Sequence, residues 1–73
     1  MIRLTEPDQI GAQIRAIRLD QGLLQRELAQ LAGSNTCSVS EVERGRNLPT
    51  FATAGRLLAA LGYDLALVPR EDM

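Results

Sequence analysis

The sequence predicts an all-α fold, one domain over residues 1–73 with four short helices and a β-strand at the end. Apolar residues recur at helical spacing in four segments, at approximately residues 6–21, 25–32, 36–44 and 51–61. A glycine or a loop follows each segment, as expected where a helix ends. Residues 63–68 instead alternate in character, which is typical of a strand.

The first two helices are predicted from their apolar stripes and their ends. Thr5 can cap the first helix and Gly22 can stop it. Its stripe consists of three residues at helical spacing, Ile10, Ile14 and Ile17. The second helix ends at Gly33, and its apolar side holds Leu28, Ala29, Leu31 and Ala32.

The last two helices differ in how much apolar surface they carry. Asn35 can cap the third helix, which has only Val39 and Val42 as apolar anchors, so most of its surface should face outward. Thr50 can cap the fourth helix, whose apolar face consists of Phe51, Ala54, Leu57, Leu58 and Leu61. Gly55 costs this helix about 1 kcal/mol relative to alanine, which predicts that another element packs closely there.

The final strand needs a partner for its backbone hydrogen bonds. Residues 1–4 offer one short partner within the chain, and the same strand of a second subunit offers another. We expect the second solution, a ribbon between the two subunits of a dimer. An extended tail that covers the core is the alternative.

Composition excludes several kinds of protein. Hydrophobic residues make up 45% of the chain, too many for a disordered tail. One cysteine excludes an internal disulfide, and without any histidine we expect no metal site and no cofactor. We find no apolar run of membrane-spanning length and no export signal in residues 1–5, so we expect a cytoplasmic protein.

The charge pattern leaves two interpretations open. A formal net charge of -1 argues mildly against binding to nucleic acid. However, all eight basic residues are arginines, which form bidentate contacts with phosphate and guanine. Five of them lie close together in the sequence: Arg15, Arg18, Arg26, Arg44 and Arg46. Acidic residues share this stretch, so a set of solvated helix faces explains the charges about equally well.

A helix-turn-helix motif needs a small residue where its helices touch, a turn that glycine permits, and apolar anchors under the second helix. Ala29, Gly33, Val39 and Val42 meet these needs. The run Q-R-E-L-A-Q-L-A-G, followed by V-x-x-V-E-R-G, resembles the lambda-repressor-like (Xre/Cro) family, and the resemblance covers residues 10–62. It implies that the third helix enters the major groove of DNA while the second spans the backbone.

The resemblance also implies contact residues. The base contacts fall on Thr36, Cys37, Ser38, Ser40 and Glu41, and the backbone contacts on Gln25, Arg26, Asn35, Arg46 and Asn47. Leu24 departs from the family pattern because it replaces a capping serine or threonine, and Ser34 because it replaces an apolar residue under the turn. Glu43 corresponds to a structural position that ties the third helix to the following loop. For Cys37 we favour a small side chain near DNA over a redox switch.

The segment D-L-A-L-V-P directly after the fourth helix is similar to HipB-type antitoxins. That similarity implies an autoregulating repressor, a homodimer on a palindromic operator and a HipA-type kinase toxin as partner. The dimer contacts would come from Tyr63, Leu65, Leu67 and Val68.

Three other functions remain as alternatives. A phage-type or restriction-control regulator would use the same DNA-binding surface. A protein-interaction module that has lost DNA binding would explain the acidic pI and the modest set of base-contacting side chains. An enzyme is not expected, because the sequence has no histidine, no obvious carboxylate pair and no glycine-rich phosphate loop.

Overall fold

Four helices and two short strands make up the computed structural model, which describes residues 2–3, 10–46 and 49–66. Within those ranges the elements are β1 (Ile2–Arg3), α1 (Ile10–Asp20), α2 (Gln25–Ala32), α3 (Thr36–Glu43), α4 (Phe51–Ala60) and β2 (Leu65–Ala66). Helix α2 has the bounds that the sequence predicts, and α3 and α4 each end one residue earlier. The predicted cap at Thr5 and the first turn of α1 lie outside the described residues.

The core lies between the apolar faces of the four helices. It consists of Ile10, Ile14, Leu28, Ala29, Ala32, Val39, Val42, Ala54, Leu57, Leu58 and Leu61. Two residues assigned to apolar faces are instead exposed, Leu31 to 63% and Phe51 to 52%. Leu31 lies at the edge of the α2 stripe, and Phe51 begins α4, one turn before the buried Ala54.

A tight turn joins α2 to α3. The Ser34 N–H donates to the Ala29 carbonyl at 2.8 Å, and the Gly33 N–H donates to the Gln30 carbonyl at 3.3 Å. Gly33 has a φ of 66°, in the left-handed region where glycine is strongly favoured. Two hydrogen bonds with the same spacing along the chain also close α1, α3 and α4. Helix α3 can therefore begin three residues after Gly33.

Helices α1 and α3 pack closely against each other at Gly11. A Cβ atom at this position would lie 1.9 Å from the Val42 carbonyl oxygen, so only glycine fits without a backbone shift. The expectation of close packing at Gly55 is wrong, since a Cβ atom there would meet nothing within 4 Å. The glycine that permits a close approach lies in α1 and not in α4.

Strand β2 pairs with β1 of the same chain. The two strands are parallel, with Ile2 opposite Leu65 and Arg3 opposite Ala66. The expectation that residues 63–68 need a second subunit for strand pairing is therefore wrong for this edge of β2. The amino-terminal segment supplies the partner, because a two-residue strand is long enough to match the two residues of β2.

Candidate nucleic-acid interface

Helix α3 has an inner face that is buried and an outer face that is polar. Val39 and Val42 are exposed to only 0% and 5%, and they anchor the helix on the core. All five side chains predicted to contact bases are solvent-accessible: Thr36 and Cys37 are exposed, while Ser38, Ser40 and Glu41 are partly buried. The structure thus brings these five residues together on one eight-residue helix.

Asn35 begins α3 and caps it. Its side-chain Oδ1 accepts a hydrogen bond of 2.8 Å from the Ser38 N–H, as the sequence predicts for this position. Further along the helix, the Cys37 thiol donates to Glu41 Oε1 at 3.8 Å, which links two of the predicted base-contacting residues.

The start of α2 lacks a side-chain cap, as expected from Leu24. Glu27 compensates in part, since its Oε1 accepts a hydrogen bond of 2.8 Å from the Leu24 N–H, which is half of a capping box. Arg26 is exposed beside it. Gln25, a predicted backbone contact, is partly buried and donates from Nε2 to Glu43 Oε1 at 3.1 Å.

Arg18 and Glu43 form a buried ion pair between α1 and α3. Arg18 donates to the Glu43 carboxylate from Nε at 2.7 Å and from Nη2 at 2.9 Å. A third hydrogen bond of 2.7 Å joins Nη1 to the Leu23 carbonyl oxygen. Since Arg18 is exposed to only 6%, it does not belong to a phosphate-binding surface. Glu43 accepts hydrogen bonds from Arg18 and Gln25, which supports a structural role. Residues 47–48 of the following loop lie outside the described residues, so the expected contact with that loop stays a prediction.

The ion pair also shifts a protonation equilibrium. Hydrogen bonding to Glu43 raises the pKa of the Arg18 guanidinium above its ordinary value, and this effect outweighs the lowering by burial. A group whose pKa is raised by folding contributes its full stability below its unfolded-state pKa. The contribution of Arg18 is therefore complete at neutral pH and is lost only in strongly alkaline solution.

The position of Arg18 in the sequence indicates that it is buried and paired. The prediction that groups it with the surface charges misses this. Arg18 lies four residues after Ile14 and eight after Ile10, on the buried stripe of α1. A charged residue on such a stripe needs a partner. Arg44 is a second residue that the predicted site leaves out: it is exposed directly after α3, three residues beyond Glu41.

The remaining predicted residues are described only in part. Arg46 is exposed beyond the end of α3, whereas Asn47, Leu67 and Val68 lie outside the described residues. Tyr63, exposed to 37%, precedes β2, and its N–H donates to the Leu58 carbonyl and so closes α4. For Leu65 the structure gives the backbone pairing alone. None of the helices in the described ranges has the length and apolar character required to cross a membrane.

Comparison with known proteins gives a consistent result. Residues 14–68 match the sequence profile of the helix-turn-helix family. The chain is 30% identical over 63 residues to the immunity repressor protein of Bacillus phage phi105, an alignment that covers 86% of this chain and 44% of the repressor. It is 33% identical over 65 residues to the ImmF control region 10 kDa protein of the same phage, covering 89% and 72% of the two chains.

A bacterial regulator is similar over the same region. The HTH-type transcriptional regulator PuuR of Escherichia coli K12 is 34% identical over 56 residues, which cover 77% of this chain and 30% of PuuR. This chain therefore spans less than half the length of the immunity repressor and of PuuR.

Proposed function

Since the chain belongs to the lambda-repressor-like helix-turn-helix family, we propose that it binds double-stranded DNA sequence-specifically and represses transcription. The observation that carries this proposal is the division of α3 into a buried apolar face and an accessible polar face. A helix held in this way can place its outer side chains in the major groove, which is about 12 Å wide. Helix α3 is accordingly the proposed recognition helix.

The contacts divide into two kinds. Thr36, Ser38 and Ser40 would hydrogen-bond to base edges, together with Cys37 and Glu41, since hydroxyl groups can donate to or accept from a base. Arg26, Arg46 and Asn47 would bind phosphates and fix the position of the helix on the duplex. Gln25 can contact DNA and keep its hydrogen bond to Glu43, because its amide nitrogen carries two hydrogens and Glu43 accepts one of them.

The proposal includes a homodimer on a palindromic operator, with half-sites about 34 Å apart. Residues 63–68 would contribute to the dimer contact alongside the intrachain pairing of β1 and β2.

For the biological role, the similarity to a phage immunity repressor favours a phage-type regulator. The role as an antitoxin that binds a HipA-type kinase stays a prediction that rests on the D-L-A-L-V-P segment. A kinase gene beside this gene, and co-purification of the two products, would support it.

The proposed function is tested by selection of binding sites from a pool of random duplexes, followed by titration at several salt concentrations. We expect one enriched motif and a log-log salt slope of about -0.9 per phosphate contact. Arg46→Ala should weaken binding to all sequences and reduce the slope by about 1, whereas Ser38→Ala should change the preference at particular base pairs.

Arg56→Ala is the control, because it removes an equal charge from an exposed position on α4. It should leave the enriched motif unchanged. If the chain enriches no motif and its weak binding is the same at every salt concentration, the protein-interaction module replaces the proposed function.

A further inference from the structure

The outer face of α3 carries Cys37 and Glu41. At about 100° per residue, the helix places Cys37 and Glu41 on the side opposite its three buried residues, Val39, Val42 and Glu43. On this outward side Cys37 is exposed and Glu41 is partly buried. A duplex that contacts the outward side of α3 would meet both residues.

The Glu41 carboxylate contacts the side chain one turn earlier in the helix. Cys37 donates its thiol hydrogen to Glu41 Oε1 at 3.8 Å, a weak hydrogen bond along the helix surface. The other acidic residue of α3, Glu43, is directed inward and is paired with Arg18. Glu41 is thus the acidic residue on the DNA-facing side of the helix.

A carboxylate that approaches DNA accepts hydrogen bonds and repels phosphates, so it needs a donor on a base edge. In the major groove the donors are the amino groups of cytosine and adenine. Adenine carries the N7 acceptor beside its amino group, which repels the second carboxylate oxygen, whereas cytosine has no adjacent acceptor of its own. Cytosine is therefore the base that suits Glu41.

We propose that Glu41 is a specificity-determining residue that selects a C·G base pair at one position of each half-site. The inference rests on the proposed function and adds to it the identity of one base pair.

The test compares binding-site selections by the unmodified protein and by Glu41→Gln. The unmodified protein should favour C·G over the other base pairs by about tenfold at one position. Glutamine forms a bidentate pair with adenine, so the variant should favour A·T at that same position and keep the rest of the motif. Glu41→Ala should lose the preference there, and thermal unfolding shows that both variants fold. Asp20→Asn, the same change of charge at the end of α1, should leave the motif unchanged.

The outcomes separate the two proposals. If Glu41→Gln enriches the unmodified motif and only binds every sequence more tightly, Glu41 acts through its charge alone and this inference is wrong while the proposed function stands. A cytosine preference that survives in Glu41→Ala also overturns the inference. If the unmodified protein enriches no motif, both proposals fail.

Discussion

The inner and outer faces of helix α3 are held by opposite kinds of contact. On the inner face, Val42 contacts the backbone of α1 at Gly11, and Glu43 receives hydrogen bonds from Arg18 and Gln25. On the outer face, the hydroxyl and thiol side chains are exposed or partly accessible to solvent. The difference indicates that the inner face sets the orientation of the helix and the outer face determines what it binds. Substitutions on the two faces should therefore separate stability from recognition.

The largest effect is expected at Gly11. Gly11→Ala would place a Cβ atom 1.9 Å from the Val42 carbonyl oxygen, and relief of this clash requires a backbone shift of α3. We expect a loss of at least about 5 kcal/mol in the free energy of unfolding, or no folded protein at all. Urea unfolding followed by circular dichroism measures it.

Gly55→Ala is the matched control for that substitution. A Cβ atom at Gly55 has open space, and alanine favours the helix, so this variant should gain up to about 1 kcal/mol. Equal unfolding midpoints for the two alanine variants would show that α1 and α3 do not approach as closely as the structure indicates.

The next largest effect is expected at the buried ion pair. Glu43→Ala leaves the Arg18 guanidinium buried without its carboxylate, which should cost about 3–5 kcal/mol. The double variant Arg18→Met/Glu43→Leu replaces both charges with apolar side chains and should recover most of that loss. Chemical denaturation of all three proteins tests this. A double variant no more stable than Glu43→Ala would show that the two charges are not buried together as the structure indicates.

The smallest effects are expected at the helix caps. Asn35→Ala removes the hydrogen bond to the Ser38 N–H and should lower stability by about 1 kcal/mol. Leu24→Ser should have the opposite effect, because its hydroxyl can accept from the first turn of α2 and complete the capping box with Glu27. Thermal unfolding distinguishes the two. Stabilisation by Asn35→Ala would show that the cap contributes nothing.

Local features of the fold could be predicted from the sequence, and contacts between distant segments could not. The bounds of α2 and the cap at Asn35 follow from residues within one turn of each helix end. In contrast, the spacing of apolar residues does not tell which of two helical glycines, Gly11 or Gly55, meets another helix. The pairing of Arg18 with Glu43 joins residues 25 positions apart, and only the packing of α1 on α3 selects that partner.

The same limit applies to the candidate interface. The outward side of α3 is predictable, because two valines three residues apart define its inner side. The engagement of Gln25 with Glu43 depends on how α2 and α3 cross, so it emerges only in the structure. The partner of β2 was ambiguous for a similar reason, since a two-residue strand carries too little pattern to select β1 over a second subunit.

The most direct test of the role of α3 uses Cys37, the chain's one cysteine, which is exposed on the outer face. The rate of thiol alkylation is measured for the free protein and with saturating amounts of the duplex enriched by selection. If the outer face of α3 lies in the major groove, the bound duplex should strongly slow the reaction. Alkylation of Cys37 at the same rate in the saturated complex and in the free protein would show that another surface binds the DNA.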